Sequence, residues 1–167
     1  SPSFNGYDKS KTTSLSLRAK YQLSDTMQLI SVTAYRHHSM DSDIDYDFSE
    51  PEFLHYRIKN ENKRLSEELR VNSVDTPIKW LVGIYADTDE FSDDYTASSI
   101  FPEQSAIIDD AVNKGNSWSA FAHVNVPFGD FSVLGGIRYD YQKREFDQPS
   151  LGINHEEEWS EVSPKIG

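Results

Sequence analysis

The sequence contains no cysteine among its 167 residues, which excludes disulfide bonds and thiolate chemistry. It also lacks any run of about 18 uncharged apolar residues, and a mean hydropathy of −0.65 excludes helical membrane spans. Basic residues are few: 16 against 28 acidic residues give a formal net charge of −12, which argues against nucleic acid as a partner. None of these absences excludes a membrane β-barrel, whose strands need apolar residues only at alternate positions.

Motifs for catalysis are also missing. The sequence shows no glycine-rich phosphate loop, no Ser/His/Asp order and no zinc-ligand spacing, and no pair of carboxylates stands out by its spacing. The chain opens at Ser1-Pro2-Ser3 without a basic segment and an apolar segment after it, so no signal peptide is predicted. We therefore expect no enzyme, no catalytic residue and no cofactor, in a chain whose leader was removed or which is an internal piece.

The clearest pattern that is present lies in residues 117–146, where two alternating runs flank the turn-forming residues 127–130. Pairing Val126 with Phe131, and Trp118 with Tyr139, places apolar or small side chains on one face and mostly polar ones on the other. Strands of about ten residues with aromatic side chains at their ends are typical of a transmembrane barrel hairpin. In a soluble hairpin the same aromatic residues would belong to the core or form a sugar-stacking platform.

The rest of the chain repeats this alternation in runs at residues 12–23, 27–38, 64–74, 78–91 and 161–167. Short turns at 24–26, 75–77 and 127–130 alternate with long polar segments at 39–63, 92–116 and 147–160, and residues 102–112 predict a short helix. The pattern predicts an all-β fold: an antiparallel up-and-down meander of about seven long strands. Its short periplasmic turns and long extracellular loops would make it a partial transmembrane β-barrel.

Four segments also carry a family resemblance: SEELRV at 66–71, WLVGIY at 80–85, GGIRY at 135–139 and SPKIG at 163–167. In this order they resemble successive barrel strands of TonB-dependent outer-membrane receptors, over residues 12–167. The resemblance implies that residues 1–167 are a partial receptor barrel without a plug domain or TonB box. About seven strands cannot close the roughly 22-stranded barrel of such a transporter.

The resemblance further implies an active transporter in the outer membrane of a Gram-negative bacterium. Such receptors take up scarce nutrients, most often a ferric siderophore or another iron complex, and are energised by TonB. The implied partners are outer-membrane lipid, the small-molecule ligand, and the TonB complex acting through the missing plug region. The alternative from the residues alone is a soluble β-sandwich that binds carbohydrate, which would fold without detergent.

Two sets of residues are candidates for ligand contact. Unpatterned aromatic residues in the long polar segments are predicted to contact ligand from extracellular loops: Tyr46, Phe48, Phe53, Tyr56, Tyr95 and Phe101. Four basic residues on the mixed face of the strands are predicted to line the lumen: Arg18, Arg36, Arg70 and Arg138. These arginines either pair with acids such as Glu68, Asp87 and Asp140 or guide an anionic ligand.

A run of acids offers a weak metal candidate. Asp41, Asp43, Asp45 and Glu52 have nearly the spacing of a calcium loop, but Tyr46 occupies the position where the loop needs glycine. The other interpretation is that these aspartates share one face of a strand and stay solvated. We predict no other metal site.

Overall fold

The computed structural model describes residues 6–45, 54–99 and 106–167. These residues form one antiparallel sheet of seven strands in which every strand pairs with its neighbours in the sequence, and they include no helix that could cross a membrane. The strands are β1 (Tyr7–Ser24), β2 (Met27–Asp45), β3 (Leu54–Ser73), β4 (Lys79–Ser99), β5 (Ala106–Phe128), β6 (Phe131–Gln148) and β7 (Ile153–Ile166). The predicted meander is confirmed.

The sheet is open. Among the described residues β1 pairs only with β2 and β7 pairs only with β6, so the two terminal strands form no ladder with each other. The prediction that about seven strands do not close a barrel is therefore confirmed for the described residues. Two edges of the sheet carry backbone N–H and C=O groups that still need partners.

Short turns gather at one end of the sheet, as predicted, because consecutive antiparallel strands reverse direction. Residues 25–26 join β1 to β2, residues 74–78 join β3 to β4, and residues 129–130 join β5 to β6. Gly129 adopts a left-handed φ of 62° in the two-residue turn between β5 and β6, a conformation that glycine adopts without steric cost. We call this end of the sheet the turn end and the opposite end the loop end.

The strands reach further toward the loop end than the sequence predicts. Much of the predicted loop at 39–63 is strand, because β2 continues to Asp45 and β3 begins at Leu54; likewise β4 runs to Ser99 and β5 begins at Ala106. In these extensions the face that is apolar nearer the turn end carries polar and charged residues such as Asp41, Lys59 and Glu61, so the hydrophobic alternation that marks a strand in the sequence is lost there. The ladder persists, and cross-strand pairs such as Arg57 with Asp41 at 2.8 Å accompany it.

Two further predictions at the loop end are wrong. The helix predicted at 102–112 is contradicted where the structure describes it, since residues 106–112 belong to β5. The loop predicted at 147–160 is reduced to a short 3₁₀ turn, Pro149–Leu151, followed by Gly152 at a φ of 65°. Glu156 therefore lies within β7, where its carboxylate is 3.0 Å from the Lys143 ammonium.

The register of the β5–β6 hairpin differs from the prediction by two residues. Val126 lies opposite Val133, and Trp118 lies opposite Tyr141 rather than Tyr139. The turn uses only Gly129 and Asp130, whereas the prediction assigned four residues to it. Because the shift is even, every side chain stays on its predicted face.

The two faces of the sheet differ in character. On one, which we call the apolar face, Leu17 is 69% exposed and Ile84 and Val133 are each 58% exposed. The other, the polar face, holds the most buried side chain of the described residues, Ser119, which is 1% exposed. A β-sandwich would cover the apolar face with a second sheet, and the described residues contain only one sheet, so the alternative fold is wrong for this part of the chain.

Changing Gly129 tests the turn. Gly129→Ala should destabilise the folded protein by about 1–2 kcal/mol, because an L side chain at this φ clashes with its own backbone. Gly129→Asn should be close to neutral, since asparagine tolerates the left-handed region and no atom lies within 4 Å of the added Cβ. The measurement is the urea midpoint of unfolding, and equal midpoints for the two variants would contradict this account of the turn.

Candidate ligand-facing wall

All four predicted lumen arginines lie on the polar face. Arg70 and Arg138 belong to one row across the sheet, in which Ile30, Arg70, Gly83, Phe121 and Arg138 are successive cross-strand partners. Arg36 lies an even number of residues from Ile30 on β2, and so does the cross-strand partner of Arg18. Both arginines therefore lie on the same face of the sheet. Four guanidinium groups therefore lie on one face of the sheet, and we call this surface the arginine wall.

Arg138 is held by three neighbours on this wall. Its Nε lies 2.8 Å from Asp140 Oδ1, its Nη2 donates to Ser119 Oγ at 2.9 Å, and its guanidinium carbon lies 5.7 Å from the centre of the Phe121 ring. Gly83 leaves room for that ring, since a Cβ at this position would come within 2.7 Å of Phe121 Cζ. Arg138 is therefore fixed in place rather than free to extend from the sheet.

Arg70 is only partly satisfied. Its Nη1 donates to Glu68 Oε1 at 2.8 Å, whereas its Nε is buried without a hydrogen-bond partner. Two further buried oxygens near the turn end, Asn72 Oδ1 and Asn125 Oδ1, are also unpaired among the described residues. Buried polar groups are normally hydrogen-bonded, so these three atoms lack the hydrogen-bond partners that their burial requires.

A second set of charged residues lies nearer the loop end. Arg64 Nη2 lies 3.1 Å from Asp87 Oδ2, and Arg144 Nη1 lies 2.6 Å from Asp89 Oδ2. Sequence reasoning missed both arginines although they lay within predicted strands, because each falls near the outer end of its run, 64–74 for Arg64 and 117–146 for Arg144. The signal was present: Arg64 and Arg144 are each six residues, an even number, from Arg70 and Arg138 on the same strands.

Gly115 is what allows the Arg144–Asp89 pair to form. It lies opposite both residues in the sheet, and a Cβ built on it would overlap the Arg144 guanidinium and the Asp89 carboxylate. Asp89 is only 16% exposed as a side chain, and Arg144 supplies the positive charge that pairs with it. The glycine thus provides the space in which the ion pair lies flat against the sheet.

Arg36 carries a positive charge that no described acid pairs with. It lies directly opposite Arg64 on β3, where two like charges repel each other. Arg64 is bound to Asp87, whereas neither Arg36 nor Arg18 forms an ion pair within residues 6–45, 54–99 and 106–167. Two predicted arginines are therefore available to an anion, while Arg70 and Arg138 make the acid pairings that the sequence allowed.

The predicted aromatic contacts divide into two groups. Tyr56 and Tyr95 are brought together at the loop end of the polar face, with ring centres 5.1 Å apart and planes 26° apart. Four other predicted contact residues lie outside the described residues: Tyr46, Phe48, Phe53 and Phe101.

An arginine occupies the first acid of the predicted calcium run. Asp41, Asp43 and Asp45 alternate along β2 on one face, and Arg57 binds both oxygens of Asp41 at 3.0 and 2.8 Å. This guanidinium lowers the pKa of the Asp41 carboxyl, and Glu52 lies outside the described residues. The described part of the chain contains no cluster of three side chains able to hold a metal ion.

A family model described as TonB dependent receptor-like, β-barrel, matches residues 1–167. The chain belongs to this family. Comparison with the curated proteins gave no significant match. As a TonB-dependent receptor barrel, the chain has an open seven-stranded sheet that corresponds to part of a larger barrel.

Solved receptors share the fold at low identity. The ferric yersiniabactin uptake receptor FyuA from Yersinia pestis is 14% identical, with a TM-score of 0.71 over 96% of this chain and 25% of that one. The copper transporter OprC is 15% identical, with a TM-score of 0.76 over 94% of this chain and 27% of that one. The unliganded ferric citrate transporter FecA is 11% identical, with a TM-score of 0.70 over 96% and 25%. The chain thus spans about a quarter of each receptor's length.

Gly115→Ala tests how the wall is built. The added methyl group should push Arg144 away from Asp89 and destabilise the full-length receptor by about 1–3 kcal/mol, the usual cost of overpacking. Gly135→Ala is the matched control, because its Cβ would meet only Val124 Cγ1 at an ordinary 3.6 Å. The urea midpoints of the two variants give the comparison, and a stable Gly115→Ala receptor would show that the pair does not need this glycine.

Proposed function

We propose that this chain is part of an outer-membrane active transporter that binds a ferric siderophore or another iron complex and imports it with energy from TonB. The observation that carries the proposal is the family match over residues 1–167. Two structural relatives, FyuA and FecA, are named for the uptake of iron complexes. The family and these relatives are receptors and transporters rather than enzymes.

The apolar face supports a membrane position for the sheet. Trp118 clusters with Tyr139 and Tyr141 at centre distances of 5.2 and 6.0 Å, while Phe128 and Phe131 are 78% and 79% exposed at the turn end. A membrane strand needs about 9–11 residues, and the segment 131–141 has this length between its two aromatic ends. Lipid contacts the apolar face between these aromatic belts, and the loop ends of the strands project beyond the membrane.

The polar face then lines the lumen. Iron bound by carboxylate or catecholate groups presents negatively charged oxygens, and a guanidinium group binds such oxygens in a planar fork. Arg18 and Arg36, which have no described acid partner, supply this positive charge, and the Tyr56–Tyr95 pair lies toward the extracellular mouth. Arg64 and Arg144 extend the basic wall while they remain bound to their own acids.

The unpaired polar atoms near the turn end face the plug region in the complete receptor. Arg70 Nε, Asn72 Oδ1 and Asn125 Oδ1 are buried without partners in the described sheet. A plug lying inside the barrel supplies the missing hydrogen bonds. The TonB complex acts through that region, so these three residues belong to the contact between barrel and plug rather than to the ligand site.

Arginine substitutions on β6 test the membrane position. Ile137→Arg should cost about 2–4 kcal/mol, because the residue lies near the middle of the lipid-facing span, and Val133→Arg should cost less, nearer the turn end. Ser132→Arg on the polar face serves as the control and should be nearly neutral. Folding into lipid vesicles in a urea series gives the three values, and equal costs on both faces would contradict the orientation.

Iron uptake tests the function itself. Cells that depend on the full-length receptor should accumulate radioactive iron from ferric citrate or from a ferric tris-catecholate, and disruption of TonB should abolish the uptake. Arg18→Gln with Arg36→Gln should weaken binding of the transported complex by roughly tenfold or more, the cost of losing a charged hydrogen bond.

Lys63→Gln with Lys114→Gln is the matched control, since both lysines lie on the opposite face. This control should bind the complex like the wild type. Equal loss in both double variants would contradict the role of the arginines, and the absence of TonB-dependent uptake of any iron complex would contradict the proposed function.

A further inference from the structure

A pocket of about 290 Å³ opens on the polar face, where β1, β2 and β3 run side by side. Two cross-strand rows build it. Ser14, Arg36 and Arg64 are successive partners in one row, and Ser16, Ala34 and Ser66 are successive partners in the next. All six residues line the pocket, and the small side chain of Ala34 leaves space between the flanking serines. We call this feature the serine–arginine pocket.

The two arginines of the pocket lie directly opposite each other, and like charges in this position repel. Asp87 and the Tyr85 hydroxyl contact Arg64 at 3.1 and 3.3 Å, and both contacts are made by Nη2. Arg64 Nη1 and Nε, and the whole guanidinium group of Arg36, form no hydrogen bond with any described residue. An anion between the two arginines would relieve the repulsion and accept hydrogen bonds from these N–H groups.

Three serine hydroxyl groups surround the arginines. Those of Ser14, Ser16 and Ser66 donate to no acceptor within the part of the chain that the structure describes. Ser117 differs, because it lies further along the row of Ser66 and its hydroxyl donates to Asp87. The pocket therefore offers hydroxyl donors beside its guanidinium groups, and no described side chain uses them.

The pocket lies in a sector of the polar face that contains no carboxylate on β1 or β2. This face carries no acid within residues 12–22 of β1 or 28–44 of β2, although the whole chain has 28 acidic residues. The same stretches hold three cations: Arg18, Lys20 and Arg36. Three acids flank the sector on β3 and β4, and each is paired with an arginine: Glu68 with Arg70, Asp87 with Arg64, and Asp89 with Arg144. The sector is therefore locally positive in a chain with a formal net charge of −12.

The chemistry of these donors favours a phosphate group over a carboxylate. A phosphate monoester carries three terminal oxygens and a charge of about −1.5 to −2 at pH 7, whereas a carboxylate has two oxygens in one plane. One guanidinium fork satisfies a carboxylate, so a second arginine and three hydroxyl groups would then have nothing to bind. A tetrahedral phosphate accepts from a guanidinium fork with two oxygens and from serine hydroxyl groups with the third.

We propose that the serine–arginine pocket binds a phosphate group, either orthophosphate itself or a monoester on an organic solute, so that this receptor takes phosphate-bearing ligands. The inference rests on the proposed function in one respect, the lumen orientation of the polar face, and adds a ligand class to it. The pocket lies on the loop-end side of the row that holds Trp118, so a solute entering from outside the cell reaches it before the plug region. Arg36 is also offered to the iron complex, and the two ligands exclude each other there.

The test measures the broadening of the phosphorus NMR signals of glycerol phosphate and of inorganic phosphate by the full-length receptor in phosphate-free detergent buffer. Both probes should bind, and the tighter one identifies whether the site prefers esterified or inorganic phosphate. Glycerate, a carboxylate of similar size, should compete roughly tenfold or more weakly than glycerol phosphate, because it lacks the third oxygen for the hydroxyl groups. Binding of neither probe, or equal competition by glycerate, would overturn the proposal.

The decisive variant is Ser16→Ala combined with Ser66→Ala, which removes two hydroxyl groups and leaves the charge of the pocket unchanged. It should bind glycerol phosphate roughly tenfold or more weakly than the wild type, the usual loss for two hydrogen bonds to a charged ligand. The matched control is Ser132→Ala combined with Ser163→Ala, which removes two hydroxyl groups from the same face outside the pocket and should bind like the wild type. Equal affinity of the two double variants would overturn the proposal.

Arg36→Gln should weaken the binding of glycerol phosphate by roughly tenfold or more, and Arg36→Lys should restore part of it, because lysine keeps the charge but lacks the planar fork. Heat-dependent electrophoretic mobility reports barrel assembly, and the serine variants carry the test if an arginine variant fails to assemble. An assembled Arg36→Gln receptor with unchanged affinity would overturn the proposal. Iron uptake by the wild type reports the proposed function separately: a receptor that imports no iron complex can still bind phosphate, and one that imports iron but binds no phosphate contradicts only the pocket.

Discussion

The unbroken hydrogen-bonded ladder between consecutive strands is the constraint on which the rest of this structure depends. Once each residue has a fixed partner on the next strand, the alternation of side chains assigns it to one face of the whole sheet. The arginine wall and the exposed apolar face are then two consequences of one register. A slip of one residue in any pair would exchange them on that strand and place guanidinium groups in the membrane.

The sequence predicts those features of the sheet that follow from the alternation of side chains alone. Strand order, the turns at one end and the face of each arginine follow from period-two alternation, so even the two-residue error between Val126 and Phe131 left the faces unchanged. Strand length and ion-pair partners could not be read in the same way. Toward the loop end the apolar face becomes polar and charged, and pairs such as Arg144 with Asp89 depend on a register that a one-dimensional pattern does not fix.

The sheet has almost no core of its own, and its stability therefore comes from its surroundings. Ile30 and Ala97 are the buried hydrophobic residues in the described part of the chain, whereas large apolar side chains such as Ile84 remain exposed. In the proposed function, lipid contacts these side chains, further strands pair with the open edges, and a plug satisfies the buried polar atoms. The apolar face lacks a nonpolar neighbour, the strand edges lack backbone hydrogen-bond partners, and the buried polar atoms lack side-chain hydrogen-bond partners. Each surface therefore indicates a different kind of neighbour.

Glu67 is an exception to the division of the sheet into an apolar face and a polar face. It interrupts the apolar face between Leu65 and Leu69, where an ionised side chain facing lipid would be costly. However, Glu67 lies in the cross-strand row of Trp118, at the aromatic boundary rather than at the middle of the membrane. Ser31 and Thr33 donate hydrogen bonds to its two oxygens, so in the proposed membrane orientation this acid occurs where water and head groups can reach it. The exception therefore obeys the boundary between the apolar belt and the charged loop end of the sheet.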